Sequence, residues 1–351
     1  LTFNTYGTLM KGYDTMNIYD VSAKAGVSIA TVSRVLNGNQ SVSAKTRDKV
    51  LRVMDELGYT PNVFARGLGL NTMKTIGIMC TDSSDMYIAN AIFYLQRELR
   101  NNGYDSMLCC TGGNLSSKQQ SLELLMSKRV DAIIIVGSKF LSSNPDSDDN
   151  RYITDAAASL PIFLINGHLA GHNIYSIICN DYAAVYSVTS EMIKSGRTDI
   201  VYLYTSTSHS GLNKLMGYKD ALSANDIEVR PNFIHLCTKN IIRAKEYLTH
   251  LHDSGEDFDA VITSDDSLAV GAVKYALASR ISIPDELSIV GYNDSMLAIC
   301  TEPEITSIDT RLEELCTTAV DRLMKVFSGS ESESGETVIP ANLVKRGTTD
   351  F

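Results

Sequence analysis

The sequence predicts a small all-α helix-turn-helix domain followed by a larger α/β domain with two lobes. Residues 19–37 fit two short helices around a tight turn, and from residue 75 the chain alternates β-rich and helical runs in two successive sets. Charge is also unevenly placed. Residues 16–75 carry eight Lys and Arg against four Asp and Glu, although the whole chain has a net charge of −10. A basic segment joined to an acidic body is typical of a phosphate-binding module attached to a domain of another kind.

The first helix pair surrounds Gly26, which can adopt the positive φ of a sharp turn. Ala23 and Ala25 allow close helix approach, and Ser28 is a suitable N-cap for the second helix. That helix would expose four residues near its N-terminus, where a recognition helix contacts base edges and phosphates, namely Ile29, Ala30, Ser33 and Arg34. The pattern indicates DNA binding. Similar helix pairs also serve as packing units in proteins that bind no nucleic acid.

A third helix is predicted over residues 43–57, with Ser43 as its N-cap and Gly58 at its end. Its apolar face would consist of Val50, Leu51, Met54 and Leu57, and its exposed face would carry Lys45, Arg47 and Lys49.

The run from Ile18 to Gly77 resembles the DNA-binding half of the LacI-type (lactose repressor and galactose repressor) family of bacterial transcriptional regulators. The resemblance is carried by Tyr19-Asp20-Val21, Ala25-Gly26-Val27-Ser28, the run Thr31 to Asn37, and Val42-Ser43 before Lys45-Thr46-Arg47. It implies that Ile29 and Ala30 choose bases and that Arg34 contacts a guanine. Positions that mainly hold phosphates in the family are Tyr19, Thr31, Ser33, Asn37, Ser43, Thr46, Tyr59 and Asn62.

The resemblance continues through residues 57–77, where the family carries a hinge helix. It implies DNA contacts for Ala65 and Leu68, with Leu68 entering the minor groove as a wedge that kinks the duplex. Gly67 and Gly69 each lower helix propensity by about 1 kcal/mol relative to Ala, so we expect this segment to become helical only on DNA. The alternative is an ordinary interdomain linker.

The body has the βαβ pattern of parallel sheets covered on both faces. Strands are predicted at 75–80, 106–110, 132–136, 162–165, 200–204, 233–236, 260–263 and 288–291, and helices at 89–101, 117–128, 182–195, 213–224, 241–252 and 267–279. Two similar lobes should face each other across a cleft. Ligands of such sheets bind at the carboxyl ends of the strands.

Residues 76–349 resemble the regulatory part of the same family, which is similar to the periplasmic sugar-binding proteins. The matching motifs include Val130 to Ile134, Asp266 to Gly271, Gly291 to Asp294, and Pro303 to Ile308. The resemblance implies a helix-turn-helix domain (16–60), a hinge helix and linker (61–74) and a two-lobed domain (75–351); residues 1–15 lie outside it and are interpreted as a disordered leader. The N-lobe would comprise about 75–178 and 304–329, and the C-lobe about 179–303 and 336–351. The acidic run from Ser330 to Glu336 is interpreted as a solvated loop.

The resemblance also implies five effector contacts. Lys214 stands where the family often has Arg, Asp265 where Asn is common, and Asn293 in place of a frequent Asp, so the preferred ligand should differ. Asn166 and Asp85 follow predicted strands; for each of the five residues a structural role is the alternative. Aromatic candidates for stacking on a sugar are Tyr87, Tyr182, Tyr204 and Tyr292.

The sequence contains no obvious catalytic or membrane-spanning motif. His168 and His172 lack the Glu of a His-Glu-x-x-His site, and the seven cysteines lack Cys-x-x-Cys spacing, so we expect loop histidines and reduced thiols. No apolar run approaches the roughly 18–20 residues of a membrane span, and no signal peptide is evident at the start. We therefore predict a cytoplasmic, non-enzymatic repressor without a cofactor. It would bind operator DNA as a homodimer under control of a sugar-like effector. A solute-binding protein of the same two-lobed fold is the alternative.

Overall fold

The computed structural model describes residues 16–36, 39–59, 72–142, 147–331 and 333–351. The chain divides into two compact units, Leu1–Met73 and Lys74–Phe351. In the part of the chain that the structure describes, no helix has the length and apolar character needed to cross a bilayer.

The described part of the amino-terminal unit contains three helices, α1 (Ile18–Ala25), α2 (Ile29–Leu36) and α3 (Ala44–Leu57). Gly26 ends α1 with φ 61°, which confirms the predicted tight turn. The hydroxyl of Ser22 donates to the Val27 carbonyl oxygen at 2.6 Å and closes this turn from the other side. The core of the unit consists of Val21, Ala25, Val32, Val35, Val50, Val53 and Met54.

One predicted core residue of α3 is wrong. Leu51 is 48% exposed, whereas Val53 is buried. The buried face follows positions 50, 53, 54 and 57, and residue 51 lies about 100° around the helix from residue 50, so its side chain points away.

The described residues of the carboxy-terminal unit form two six-stranded sheets. The strands are β1 (Thr75–Cys80), β2 (Asp105–Cys110), β3 (Ala132–Val136), β4 (Ile162–Ile165), β5 (Ile174–Cys179), β6 (Ile200–Tyr204), β7 (Ile234–Leu236), β8 (Ala260–Thr263), β9 (Ser288–Tyr292), β10 (Thr306–Asp309), β11 (Gly335–Ile339) and β12 (Asn342–Val344). The N-lobe sheet has the order β11-β5-β4-β3-β1-β2 and is entirely parallel, and the C-lobe sheet has the order β12-β10-β9-β8-β6-β7, in which only β12 runs antiparallel.

Helices cover both faces of each sheet, as expected for parallel strands buried on both sides. They are α4 (Met86–Asn101), α5 (Leu115–Ser127), α6 (Arg151–Ala157), α7 (Asp181–Lys194), α8 (His209–Ser223), α9 (Ile241–Asp253), α10 (Asp266–Ser279) and α11 (Leu312–Phe327). In the N-lobe, alternate strand residues such as Ile134 and Ile135 contribute to two different cores, the first with α4 and α11 and the second with α5 and α6.

The predicted lobe boundaries near the end of the chain need correction. The strand β10 pairs with β9 and belongs to the C-lobe, and β11 pairs with β5 and belongs to the N-lobe. The chain therefore crosses between the lobes near residues 180, 310 and 340. Part of the acidic run interpreted as a loop is also ordered, because Gly335 and Glu336 begin β11. β11 is a short, largely polar strand at the edge of its sheet, which carries little hydrophobic signal, and its partner β5 is distant in sequence.

Candidate functional site

The helix α2 presents the predicted base-reading residues to solvent. Ile29 is 39% exposed, Ala30 and Arg34 are exposed, and Thr31 and Ser33 are half-buried, whereas Val32 and Val35 face the core. The Ser28 hydroxyl accepts from the Thr31 backbone N–H at 3.2 Å, which confirms the predicted cap. An amphipathic helix whose outer face is exposed near its N-terminus matches the geometry of a recognition helix.

Residues predicted to hold phosphates lie around α2 on the two neighbouring helices. Tyr19 is 67% exposed on the first turn of α1. At the start of α3, the Ser43 and Thr46 hydroxyls lie 2.9 Å apart, and Ser43 accepts from the Thr46 backbone N–H. Tyr59 is half-buried against the small core. The remaining predicted DNA contacts lie outside the described residues, namely Asn37, Asn62, Ala65 and Leu68.

In the carboxy-terminal unit, the carboxyl ends of strands from both sheets surround one cleft of about 810 Å³. All five residues predicted to contact an effector line it, namely Asp85, Asn166, Lys214, Asp265 and Asn293. The sequence-predicted set is therefore brought together in space, although contact with a ligand stays a prediction.

Each of these five side chains also has a partner within the protein. The Asp85 carboxylate caps α4 by accepting from the Tyr87 N–H at 3.0 Å, and Asp265 caps α10 by accepting from the Ser267 N–H at 3.0 Å. The Asn293 amide donates to Asp265 Oδ2 at 3.3 Å. Asn166 has φ 55°, and its side-chain oxygen accepts from the backbone N–H of Cys179 at 3.4 Å. Both roles considered at the sequence level, structural and ligand-facing, are thus compatible with these positions.

Lys214 is drawn toward the floor of the C-lobe side of the cleft. Its ammonium group lies 3.8 Å from Asp181 Oδ1 and 3.8 Å from the centre of the Tyr292 ring. The Tyr292 hydroxyl donates to the same Asp181 oxygen at 2.5 Å. Burial first, and then the Asp181 charge, raise the pKa of Tyr292 well above its usual value. Asp181 and the Tyr292 ring thus hold the Lys214 ammonium group in place. Lys214 supplies a single positive charge and lacks the planar, bidentate geometry of an arginine guanidinium group.

The aromatic predictions are only partly supported. Tyr87 lines the cleft, whereas Tyr292 is fully buried in the C-lobe core and cannot stack on a ligand. Tyr182 donates to Asp220, and Tyr204 stacks on Tyr202; neither is among the residues that line the cleft.

Sequence reasoning missed the residues that join the two lobes across the cleft. Lys239 pairs with Asp85 of the N-lobe at 2.9 Å and with Asp265 of the C-lobe at 2.8 Å. The hydroxyls of Ser138 and Ser208 lie 2.9 Å apart. All three missed residues follow strands β3, β6 and β7, so the rule that ligands bind at the carboxyl ends of strands would have found them.

A pair of histidines forms a further contact between the lobes. His168 stacks on His209 with ring centres 5.2 Å apart, and its Nδ1 lies 2.6 Å from Glu336 Oε2. Burial, followed by repulsion from His168, lowers the pKa of His209. His168 was expected to be a loop histidine and does lie in the loop after β4.

The charges around the cleft nearly balance. Acidic and basic side chains are equal in number among its lining residues, with Asp82, Asp85 and Asp265 against Lys139, Lys214 and Lys239. Hydroxyl and amide groups make up much of the remaining polar lining. The cleft is therefore suited to a polar ligand that makes many hydrogen bonds and carries little net charge.

Comparison with known proteins decides the family. Residues 73–347 match the family model described as periplasmic binding proteins and sugar binding domain of LacI family, and residues 17–62 match the model of bacterial regulatory proteins, lacI family. The chain belongs to the LacI family. This LacI-family chain is 54% identical over 336 residues to an HTH-type transcriptional regulator of Lachnoclostridium phytofermentans, covering 96% of this chain and 100% of the relative. It is 30% identical to the HTH-type transcriptional regulator AscG of Escherichia coli, covering 93% and 96%.

Among solved structures, the lac repressor dimer bound to operator and the anti-inducer ONPF is 25% identical with a TM-score of 0.86, covering 95% of this chain and 99% of that one. These matches confirm the predicted fold class, with a helix-turn-helix domain followed by a two-lobed regulatory domain. The protein is a DNA-binding transcriptional regulator whose regulatory domain binds an effector.

Proposed function

We propose that this LacI-family regulator represses transcription as a homodimer, with the α2 helices of two chains reading the half-sites of a near-palindromic operator. Ile29, Ala30 and Arg34 would contact base edges, because they are the outward residues near the start of α2. Tyr19, Ser43 and Thr46 would hold phosphates. The solved relative described as a lac repressor dimer bound to operator supports this arrangement. We also propose that the protein works in the cytoplasm, where the DNA is, and catalyses no reaction.

We further propose that the effector is a sugar or sugar derivative without net charge. One observation carries this part of the proposal. Polar side chains at the carboxyl ends of strands in both lobes converge on a single cleft of about 810 Å³ with balanced charges. The family model that matches this domain is named for sugar binding. A ligand held by both lobes would favour one lobe arrangement over others and thereby change operator affinity.

Direct binding to the cleft can be measured with an introduced fluorophore. The sequence contains no Trp, and Ser84 is an exposed residue at the cleft margin, so Ser84→Trp places one reporter there. We expect its emission to change with at least one member of a panel of neutral monosaccharides and disaccharides, and to change little with their phosphorylated counterparts. A panel in which only charged sugars alter the emission would contradict the proposed ligand class.

The effect of the sugar on operator binding is tested with a DNA fragment that the full-length protein selects from a genomic pool. Fluorescence anisotropy should show binding to a selected fragment, and the sugar that alters Trp emission should change the Kd by about 5- to 150-fold. Operator should change the affinity for that sugar by the same factor. If the full-length protein binds a sugar but no genomic fragment even at low salt, the regulatory role is wrong and a solute-binding role is favoured.

A further inference from the structure

Two carboxylates from opposite lobes share one ammonium group in the cleft. Lys239 Nζ lies 2.9 Å from Asp85 Oδ2 in the N-lobe and 2.8 Å from Asp265 Oδ2 in the C-lobe. The side chains of Lys239, Asp85 and Asp265 are 32%, 25% and 9% exposed, so the cluster is partly shielded from water. Lys239 therefore connects two elements that belong to separate sheets.

Both carboxylates are held in position by groups other than the lysine. The second oxygen of Asp85 accepts from the backbone N–H groups of Tyr87 and Ile88 at 3.0 and 3.4 Å, at the first turn of α4. The second oxygen of Asp265 accepts from both the backbone N–H and the hydroxyl of Ser267, at 3.0 and 2.6 Å. Helix N-termini thus hold both carboxylates in place through their Oδ1 atoms, while both Oδ2 atoms face Lys239. Asp265 Oδ2 also accepts from the Asn293 amide at 3.3 Å. Together the two Oδ2 atoms form a preorganised binding site for a cation with N–H donors.

We propose that Asp85 and Asp265 form an ammonium-binding subsite of the effector cleft, and that Lys239 is its built-in occupant. This inference rests on the proposed function in that the same cleft receives the effector. Lys239 supplies the positive charge from within the protein, so the effector brings none to this corner. The lysine thereby excludes ligands with a primary amine and makes the cleft selective for neutral polar ones.

The same contact restrains the two lobes relative to each other. Because Asp85 and Asp265 move with different lobes, any opening at this corner must break one of the two ion pairs. Without the lysine, two carboxylates would face each other with no cation between them, which disfavours closure and attracts a cation from solution.

Lys139 provides a matched control. It also lines the cleft, and it is exposed. It takes part in none of the ion pairs found among the described residues. Lys139→Ala and Lys239→Ala therefore remove the same charge from the same cleft, but only the second empties the proposed subsite.

The test is chemical rescue of the full-length protein by an added ammonium salt, with thermal unfolding as the measurement. Ethylammonium chloride is compared with tetramethylammonium chloride at equal concentration, because the second cation has no N–H to donate. We expect Lys239→Ala to have a Tm several degrees below that of the wild type, and ethylammonium to restore most of this loss. Tetramethylammonium should restore none of it. In the wild type and in Lys139→Ala, the two salts should have equal effects.

A second substitution locates the rescue. Asp85→Asn preserves an N-cap while removing the N-lobe charge, so the double variant Lys239→Ala with Asp85→Asn should lose the difference between the two salts. Equal effects of both salts on Lys239→Ala would overturn the proposal, as would rescue that survives Asp85→Asn. If Lys239→Ala folds only in ethylammonium, the proposal is supported. If it folds in neither salt, Lys239→Met is tested in the same way and decides. None of these measurements uses DNA or a sugar, so a failure of operator or sugar binding would be seen separately.

Discussion

At the scale of single residues, burial changes the pH at which the Asp266 carboxyl group titrates. Asp266 is almost fully buried at the start of α10, where it accepts from the Ser307 hydroxyl and from the Ser295 backbone N–H, each at 2.6 Å. Burial raises its pKa from 3.8 to about 6, even though both hydrogen bonds lower it. Asp266 therefore makes the folded state less stable as the pH rises, whereas a salt-bridged carboxylate makes it more stable.

The pH dependence of unfolding should reveal this shift. Between about pH 4 and pH 6 the folded state keeps a proton on Asp266 that the unfolded state has lost, so this residue's contribution is complete below pH 4 and is lost as pH rises through 6. The free energy of unfolding of Asp266→Asn, minus that of the wild type, should therefore rise by about 3 kcal/mol as the pH goes from about 4 to above 6. Urea titrations of both proteins at about pH 4 and about pH 7 measure the difference. A difference between the two proteins that is independent of pH would mean that Asp266 titrates normally.

A glycine determines how closely two helices approach in the C-lobe. A Cβ atom at Gly217 on α8 would lie 2.4 Å from the Tyr182 carbonyl oxygen and 3.0 Å from the Tyr186 nitrogen on α7. Both neighbouring atoms belong to the backbone of α7, so they cannot move aside as a flexible side chain could.

We therefore expect Gly217→Ala to lower the free energy of unfolding by about 1–3 kcal/mol. Gly113→Ala is the control, because a Cβ there meets no atom within 4 Å; its effect should stay within about 0.5 kcal/mol. Urea unfolding followed by circular dichroism compares the two variants. Equal stability of both variants would show that α7 and α8 separate without cost.

At the scale of secondary-structure elements, we propose α2 as the helix that reads the operator. Its inner face is fixed by Val32 and Val35, which leaves Arg34 on the outer face at a position that can reach a base edge. Arg52 on α3 is an exposed residue of equal charge on another helix.

Arg34→Ala should weaken binding to the selected operator by about 1–3 kcal/mol and relax sequence preference, because a bidentate contact to guanine would be lost. Arg52→Ala should change operator and random DNA to the same small extent, as expected for charge alone. Anisotropy titrations with both DNAs at one fixed salt concentration provide the measurement. Equal losses on operator and random DNA for Arg34→Ala would indicate a phosphate contact instead.

At the scale of the whole molecule, the exposed apolar residues indicate how two chains associate. Phe93 on α4 is 56% exposed and Met296, in a short 3-10 helix after β9, is 70% exposed. Tyr94 and Met296 line the same surface depression, which places α4 of the N-lobe beside this part of the C-lobe. Because exposed apolar side chains are typical of a protein interface, we propose that the face of α4 that carries Phe93 contacts the partner chain.

Phe93→Glu should shift the protein from dimer to monomer and reduce operator affinity, because two half-sites would no longer be bound together. Leu124→Glu is the control, since Leu124 is 48% exposed on α5, which packs on the opposite face of the N-lobe sheet. Sedimentation velocity measures the oligomeric state of both variants. A dimeric Phe93→Glu protein would exclude this face as the interface.

Much of the architecture could be predicted because it is encoded locally. The turn at Gly26 requires a residue that tolerates positive φ, and the central strands and their helices are marked by apolar runs of distinct period. The predicted lobes of β10 and β11 are wrong because strand pairing decides lobe membership. β10 pairs with the preceding strand β9, whereas β11 pairs with β5, far away in the sequence.

The sequence by itself determined the helix-turn-helix domain and the two βαβ sets, since each depends on residues close together in the chain. The five polar positions of the cleft were implied by the family resemblance, and one of them, Lys214, lies within α8. Only the tertiary structure showed that Lys239 stands between Asp85 and Asp265 and that Tyr292 is buried beneath the cleft. Both facts arise from contacts between residues far apart in sequence, which no local pattern of side chains can specify.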